Sequence, residues 1–181
     1  MVISANLAAA LSMIAASEGT DRAKDSNGVL IDAYRTTFQG ELSPGVKKPM
    51  YITRDLTWHP AEHRPDGTRE WTGESLAFLG PRYVGEISTA AGRYQITVST
   101  FLRLKSRLHL YDFQGASQDA CAIELITEQG ARPLIEGGQI GNAISLLHPI
   151  WASLPGSTAG QPITSFASLM SAYTNAGGGF A

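Results

Sequence analysis

Residues 5–18 read Ala5-Asn-Leu-Ala-Ala-Ala-Leu-Ser-Met-Ile-Ala-Ala-Ser-Glu18 and are followed by Gly19-Thr20-Asp21. Leu7, Leu11 and Ile14 recur at helical spacing, alanines fill the gaps, and Gly19 stops the run, so the stretch predicts a helix with an apolar stripe. Glu18 continues that stripe one turn after Ile14. A carboxylate there is partly desolvated and sits in the last turn, at the negative end of the helix dipole. Both effects disfavour the anion and raise its pKa. A carboxylic acid still protonated near neutral pH is what cleavage of a glycosidic bond requires, because the leaving oxygen must receive a proton. The other reading of the same residue is a glutamate turned to solvent at a frayed helix end, where most glutamates lie.

The chain around this helix has 181 residues, 43% hydrophobic and 17% charged, enough apolar material for one core and too little charge for disorder. The composition excludes a collagenous chain and a coiled coil. A formal net charge of -2, from 14 basic and 16 acidic residues, argues against a nucleic-acid partner. The single cysteine, Cys121, excludes an internal disulfide framework and fits synthesis in a reducing cytoplasm. The N-terminal run superficially resembles a secretory signal. It has no Lys or Arg before Arg22, however, and Ser4, Asn6 and Ser12 interrupt it, so an ordinary buried helix is expected and no stable membrane insertion.

Three textures follow one another. After the first helix, residues 19–92 hold most of the prolines and many turn-forming glycines, with β-leaning pieces such as Tyr34–Gln39 and Met50–Thr53. Residues 93–181 return to helices. Val98–Tyr111 places Phe101, Leu104, Leu108 and Tyr111 on one stripe. Ser117 reads as the N-cap of a helix over Gln118–Gln129 that Gly130 terminates. Shorter helices are expected near Pro133–Glu136 and Gln139–Leu147, and a last one over Ile163–Ala176. The expectation is a single α+β domain, with a β-rich lobe over about residues 30–90, a helical lobe from residues 1–29 and 91–181, and a cleft between them.

Ala16-Ser-Glu18-Gly-Thr-Asp21 resembles the catalytic signature of the phage lambda endolysin family. Further matches follow in order: Gly40-Glu-Leu42, Ala91-Gly-Arg-Tyr-Gln95, Asp112-Phe113, Ser117-Gln-Asp-Ala120, Ile150-Trp-Ala-Ser-Leu-Pro-Gly156 and Gly160-Gln161. The ordered set spans almost the whole chain. This resemblance implies a lysozyme-like fold and a lytic transglycosylase that cuts the β-1,4 bond between N-acetylmuramic acid and N-acetylglucosamine in peptidoglycan, with no cofactor and no metal. Glu18 takes the position of the catalytic acid. It would protonate the leaving oxygen and then, as the anion, accept the proton of the muramic acid 6-hydroxyl as that oxygen closes a 1,6-anhydro ring, with the sugar's N-acetyl group as an internal aid.

The resemblance also marks Arg93, Tyr94 and Gln95, with Gln161, as substrate-binding candidates, and Tyr34 is a further one. Gly92–Gln95 matches the Gly-x-x-Gln element of wider transglycosylase families; a helix-start capping role is the alternative for Gln95. Ala172-Tyr173-Thr-Asn-Ala-Gly177 resembles a motif that places a tyrosine near the glutamate, with core packing of Tyr173 as the alternative. The chain departs from the family in two places. The loop Ser157-Thr-Ala-Gly-Gln161 lacks an aromatic, and the stretch between Leu42 and Ala91 is longer, carrying Trp58, His59, His63, Trp71 and Tyr83. That extension is expected to enlarge one lip of the cleft, with Trp58 or Trp71 as a sugar platform or as packing.

His59-Pro-Ala-Glu-His63 matches an inverted zinc-protease motif, but Arg64-Pro-Asp-Gly67 would end its helix within a turn, so no metal is assigned. Cys121 reads as a buried small hydrophobe. Two other functions compete with the transglycosylase. A hydrolytic lysozyme on the same fold would need a second carboxylate, from Asp21, Asp32 or Glu41. A peptidoglycan-binding module would keep the fold without chemistry. For the phage enzyme, the expected partners are peptidoglycan glycan strands and a holin-like permeabilising protein. It would act as a monomer and stay in the host cytoplasm until the membrane opens.

Overall fold

Helix α1, Ala5–Glu18, begins at Ser4, whose hydroxyl accepts from Leu7 N at 3.2 Å, and ends where Gly19 turns left-handed at φ 72°. Its Leu7, Ala9, Ala10, Leu11, Met13, Ile14 and Ala15 are all buried. A computed structural model describes residues 3–43 and 45–181. The chain divides into two compact units: Met1–Gly19 with Ala122–Ala181, and Thr20–Cys121.

In the first unit α1 packs against α4 (Arg132–Glu136) and α6 (Phe166–Asn175), and α4 packs against α5 (Ile140–Leu147). Leu147, Trp151, Leu154 and Leu169 complete an apolar interior around α1. Helix α6 starts at Phe166 rather than Ile163, because the Ser165 hydroxyl caps it by accepting from Ser168 N at 3.2 Å.

The described residues of the second unit are mostly turns, with two short antiparallel ribbons: β1 (Glu41–Ser43) with β2 (Val46–Lys47), and β3 (Glu74–Ser75) with β4 (Ile87–Ser88). Helix α2 (Val98–Arg107) lies within it, and α3 (Gly115–Glu128) begins in it. The β-leaning pieces are not strands. Asp32 caps a single 3₁₀ turn, Ala33–Arg35, by accepting from Tyr34 N, and a local cap overrides β propensity there. Met50–Thr53 is irregular and tied to that turn by Thr53 N donating to Arg35 O at 2.9 Å. Helix α2 ends early because His109 adopts φ 53°, which throws Tyr111 off the stripe and leaves it 88% exposed. Helix α3 starts two residues before Ser117. That residue donates to Asp112 Oδ1 at 2.7 Å, and the same oxygen accepts from Gln114 N at 3.0 Å.

The long extension is braced from inside. Glu70 accepts from Arg54 N at 2.6 Å, Asp55 N at 3.2 Å and the Tyr51 hydroxyl at 3.1 Å. Trp71 is buried and stacks on Tyr51 at 6.5 Å, whereas Trp58 is half-buried beneath the Lys105 ammonium at 4.7 Å. His59 packs between Phe101 and Phe113 at 5.8 and 4.6 Å. Its Nδ1 accepts from Ala61 N at 3.2 Å, so the proton sits on Nε2 and points to Ile96 O at 2.9 Å. His63 is exposed and Glu62 pairs with Lys105 at 2.8 Å, so these three side chains do not converge on a common point.

Burial pulls the His59 imidazole down to a pKa of about 4, from 6.5. Between those values the unfolded chain binds the extra proton, so this group's contribution to stability is lost as pH falls from about 7 to 4, by about 3 kcal/mol. The His59 ring resonances in an NMR titration are expected to hold their neutral positions down to about pH 5. A midpoint near 6.5 would contradict this.

Candidate active site

The site begins with the end of α1. The chain cannot continue the helix past Gly19, whose N–H closes back on Ala15 O and Ala16 O, so Glu18 is fixed in the last turn beside the buried Ile14 and Ala15. Its partner comes from the segment after α5. Trp151 N donates to Leu147 O at 3.1 Å and Leu154 N to Trp151 O at 3.0 Å. The buried side chains of Trp151 and Leu154 pin this turn on either side of Ser153. Thr164 N donates to Ser153 O at 2.8 Å and closes the loop behind it. The Ser153 hydroxyl lies 2.6 Å from Glu18 Oε1.

The residue keeps partial solvent access, yet its carboxyl is desolvated enough to raise the pKa from 4.5 to about 7. Burial is the larger cause, and the Ser153 hydroxyl opposes it by stabilising the anion. Of the two readings of Glu18, the buried acid is the one this geometry matches. Ser153 lies inside Ile150–Gly156 but escaped the sequence reading. The available signal was a small hydroxyl flanked by two large apolar residues, which turn it inward.

A second constellation lies in the other unit, around Gly92–Gln95. Gly92 adopts φ 76°, and a Cβ there would overlap the Gln118 carboxamide. Gln118 in turn accepts from Arg93 N at 2.9 Å and donates to Tyr34 O at 3.0 Å and Phe113 O at 2.8 Å. Thr20 donates to Arg93 O at 2.7 Å. The Tyr34 and Tyr94 hydroxyls both donate to Asp119 Oδ1, at 2.9 and 2.6 Å, and Arg93 Nη1 donates to both hydroxyls at 3.1 and 3.2 Å. Burial first, and then the Asp119 carboxylate, raise both phenols above the usual tyrosine range, with Arg93 opposing. Gln95 is half-buried in a left-handed conformation, φ 49°, and its Nε2 donates to Gly92 O at 3.0 Å.

Burial corrects two expectations. Tyr94 is fully buried, so it braces the loop from beneath instead of presenting its hydroxyl to a ligand. Tyr173 is also fully buried. Its hydroxyl donates to Gly179 O at 3.2 Å, and Gly179 N donates to Asn6 Oδ1 at 2.8 Å. Asn6 and Glu18 are twelve residues apart on one helix, about 18 Å along its axis. Tyr173 therefore belongs to the opposite end of α1 from the glutamate. Gln161 is half-buried in the loop beyond Pro155. Among the described residues, no cluster of three His, Cys, Asp or Glu side chains could hold a metal.

A family model described as Endolysin matches residues 8–180. The chain belongs to the endolysin family. It is 38% identical over 173 residues to the endolysin of Escherichia phage P2, covering 96% of this chain and 93% of that one. To the endolysin of Escherichia phage lambda it is 36% identical over 170 residues, covering 93% and 89%. Its fold matches a solved bacteriophage lambda lysozyme complexed with a chitohexasaccharide, with a TM-score of 0.75, 32% identity, and coverage of 100% of this chain and 99% of that one. A second lambda lysozyme structure matches at a TM-score of 0.70 and 30% identity. The fold is thus the expected α+β, lysozyme-like one.

The raised pKa of Glu18 is also a statement about stability. Between pH 4.5 and 7 the folded chain holds the extra proton. This contribution is complete below 4.5 and is lost as pH rises through 7. Replacing Glu18 with Gln is expected to leave stability unchanged at pH 4.5 and to raise it by about 2 kcal/mol at pH 8, after discounting for partial exposure. Urea unfolding of both proteins across that range measures the gap.

Proposed function

We propose that this endolysin, a peptidoglycan-degrading enzyme by family, works as a lytic transglycosylase on the MurNAc-β-1,4-GlcNAc bond, with Glu18 as general acid and then general base. The observation that carries the reading is the desolvated Glu18 carboxyl with a pKa near 7, held by Ser153. A group with that pKa donates a proton in the first half of the reaction and takes one back in the second without either form being inaccessible. The anion generated as the glycosidic oxygen departs accepts the proton of the muramic acid 6-hydroxyl, whose oxygen bonds to the anomeric carbon. Glu18 is regenerated and no water is consumed.

The carboxylates that a hydrolytic lysozyme would call upon have other work. Asp32 caps the turn at Tyr34 and lies 3.7 Å from Arg35. Glu41 pairs with Lys47 at 3.0 Å and accepts from Gly45 N, which holds its carboxyl below the usual range. Asp21 lies 3.7 Å from Arg22.

In this reading the Gly92–Gln95 loop is a sugar-positioning element. The Gln95 Nε2 donates to Gly92 O at 3.0 Å and to Thr36 Oγ1 at 3.4 Å, so Gln95 offers its carbonyl oxygen to a sugar amide or hydroxyl. Arg93, Tyr34 and Tyr94 keep the loop rigid, and Gln161 contributes from the loop after Pro155. The enzyme acts as a monomer on glycan strands, and it reaches them after a separate holin-like protein opens the host membrane.

Two measurements test this. Glu18→Gln is expected to lower activity on purified peptidoglycan by at least three orders of magnitude while retaining glycan binding. Mass spectrometry of the wild-type digest is expected to show 1,6-anhydro-MurNAc ends, lighter by one water than reducing ends. Reducing ends would establish the hydrolase instead, and near wild-type activity in Glu18→Gln would refute the assignment of the acid. Expressed without a permeabilising protein, the enzyme is expected in the host's cytoplasmic fraction.

A further inference from the structure

Three hydroxyl and carboxyl groups stand in a row at the end of α1. Ser153 Oγ lies 2.6 Å from Glu18 Oε1 and 2.9 Å from Ser17 Oγ, while the Ser17 hydroxyl lies 2.8 Å from Ile14 O. A serine hydroxyl carries one proton and can accept others, whereas a carbonyl oxygen can only accept. Ser17 therefore spends its proton on Ile14 O, and Ser153 has two acceptors for a single proton. The choice between them is set by the state of Glu18. When the carboxyl is ionised, Ser153 donates to Oε1. When Oε1 carries a proton, the carboxyl donates to Ser153 Oγ, and the Ser153 proton turns to Ser17 Oγ. In both states every donor in the row has an acceptor, and the change requires only rotation of one hydroxyl.

We propose that Ser153 and Ser17 are positioning residues that form a reversible hydroxyl relay, ending on the Ile14 carbonyl, which re-aims as Glu18 releases and recovers its proton. The proposal rests on the reading of Glu18 as the acid and base. Its consequence for the reaction is that the carboxyl plane stays fixed in both halves. The Oε1–H first turns from Ser153 Oγ to the glycosidic oxygen; as that oxygen takes the proton, the O–H bond breaks and its electron pair stays on the carboxylate. Ser153 then swings its own proton from Ser17 to Oε1 and stabilises that new charge without giving the proton up. When the 6-hydroxyl returns a proton, the swing reverses. Ser17 matters because without it the Ser153 proton would lose its acceptor in this row in the neutral state.

Among the described residues, what moves Glu18 is burial and the Ser153 hydroxyl and no charged side chain, although His148, after α5, packs against Gly156 of the same loop. Helix α1 carries no charged side chain other than Glu18. Helix α6 contributes only Tyr173 as a titratable group, and its hydroxyl is bound to Gly179 O. The Arg132 and Glu136 side chains of α4 pair with each other at 2.9 Å.

The two serines should act on Glu18 with opposite signs, which a merely structural role would not produce. The test is a carboxyl ¹³C NMR titration, with the Glu18 signal assigned by its absence in Glu18→Gln, alongside the pH profile of activity. Ser153→Ala removes the donor to the anion and is expected to raise the Glu18 midpoint by about one pH unit. Ser17→Ala removes the acceptor needed by the neutral form and is expected to lower the midpoint by about half a unit. The double variant should titrate like Ser153→Ala, because Ser17 acts only through Ser153. Ser17→Thr keeps a hydroxyl and should titrate as wild type. Shifts of the same sign, an unmoved midpoint in Ser17→Ala, or an additive double variant would overturn the relay. Should Ser153→Ala fail to fold, the two Ser17 variants still decide. The titration is independent of turnover, so an active Glu18→Gln protein would remove the assigned acid while leaving the relay result legible.

Discussion

The structure depends on one unfavourable placement: a carboxyl group in the last turn of an apolar helix, where both the local field and the loss of water oppose its charge. A helix built from Leu7, Leu11, Ile14 and alanines is stable because it is surrounded, and the surroundings that stabilise it also desolvate whatever ends its stripe. Glu18 is therefore raised by the same packing that holds α1 between α4 and α6. The site is not an addition to the core but its boundary, and the Gly19 turn sets where that boundary falls.

A second titratable group is buried in the other unit with the opposite consequence. His59 is held neutral among Phe101 and Phe113, so it favours the folded state more as pH rises toward 7, while Glu18 favours it less over much of the same interval. The two linkages oppose each other between about pH 4.5 and 6.5. Their opposition flattens the stability curve across the range in which a near-neutral acid must work, although neither group was placed for the other.

Much of this could be read from the residues, for identifiable reasons. Helix α1 and its terminator were visible because 3.6-residue periodicity and a left-handed glycine are local signals, and the ordered family matches carried the fold. What stayed hidden is what depends on partners distant in sequence. Tyr34–Gln39 has strand-forming residues, yet Asp32 captures Tyr34 N and makes a turn. Tyr94 and Tyr173 sit in motifs that suggest contact with sugar. Whether a tyrosine faces outward, however, is decided by Asp119 and Gly179, which no spacing rule connects to them. Ser153 was invisible for the same reason: nothing local says that a serine 135 residues away reaches Glu18.

The chemistry of that serine explains why the glutamate's partner is neutral. A lysine or arginine within about 4 to 6 Å would lower a carboxyl pKa by roughly one to three units, enough to cancel the desolvation and return Glu18 to an ordinary anion at neutral pH. An apolar neighbour would leave the carboxylate without a donor once its proton had gone, and the pKa would climb until the group could no longer act as a base. A hydroxyl avoids both outcomes, since it donates to the anion, accepts from the acid, and lowers the pKa by less than burial raises it. A group that must be acid and base in one cycle needs a partner that serves both forms. Of the uncharged side chains compact enough to stand beside Ser17 between the buried Trp151 and Leu154, serine meets that need with the least volume.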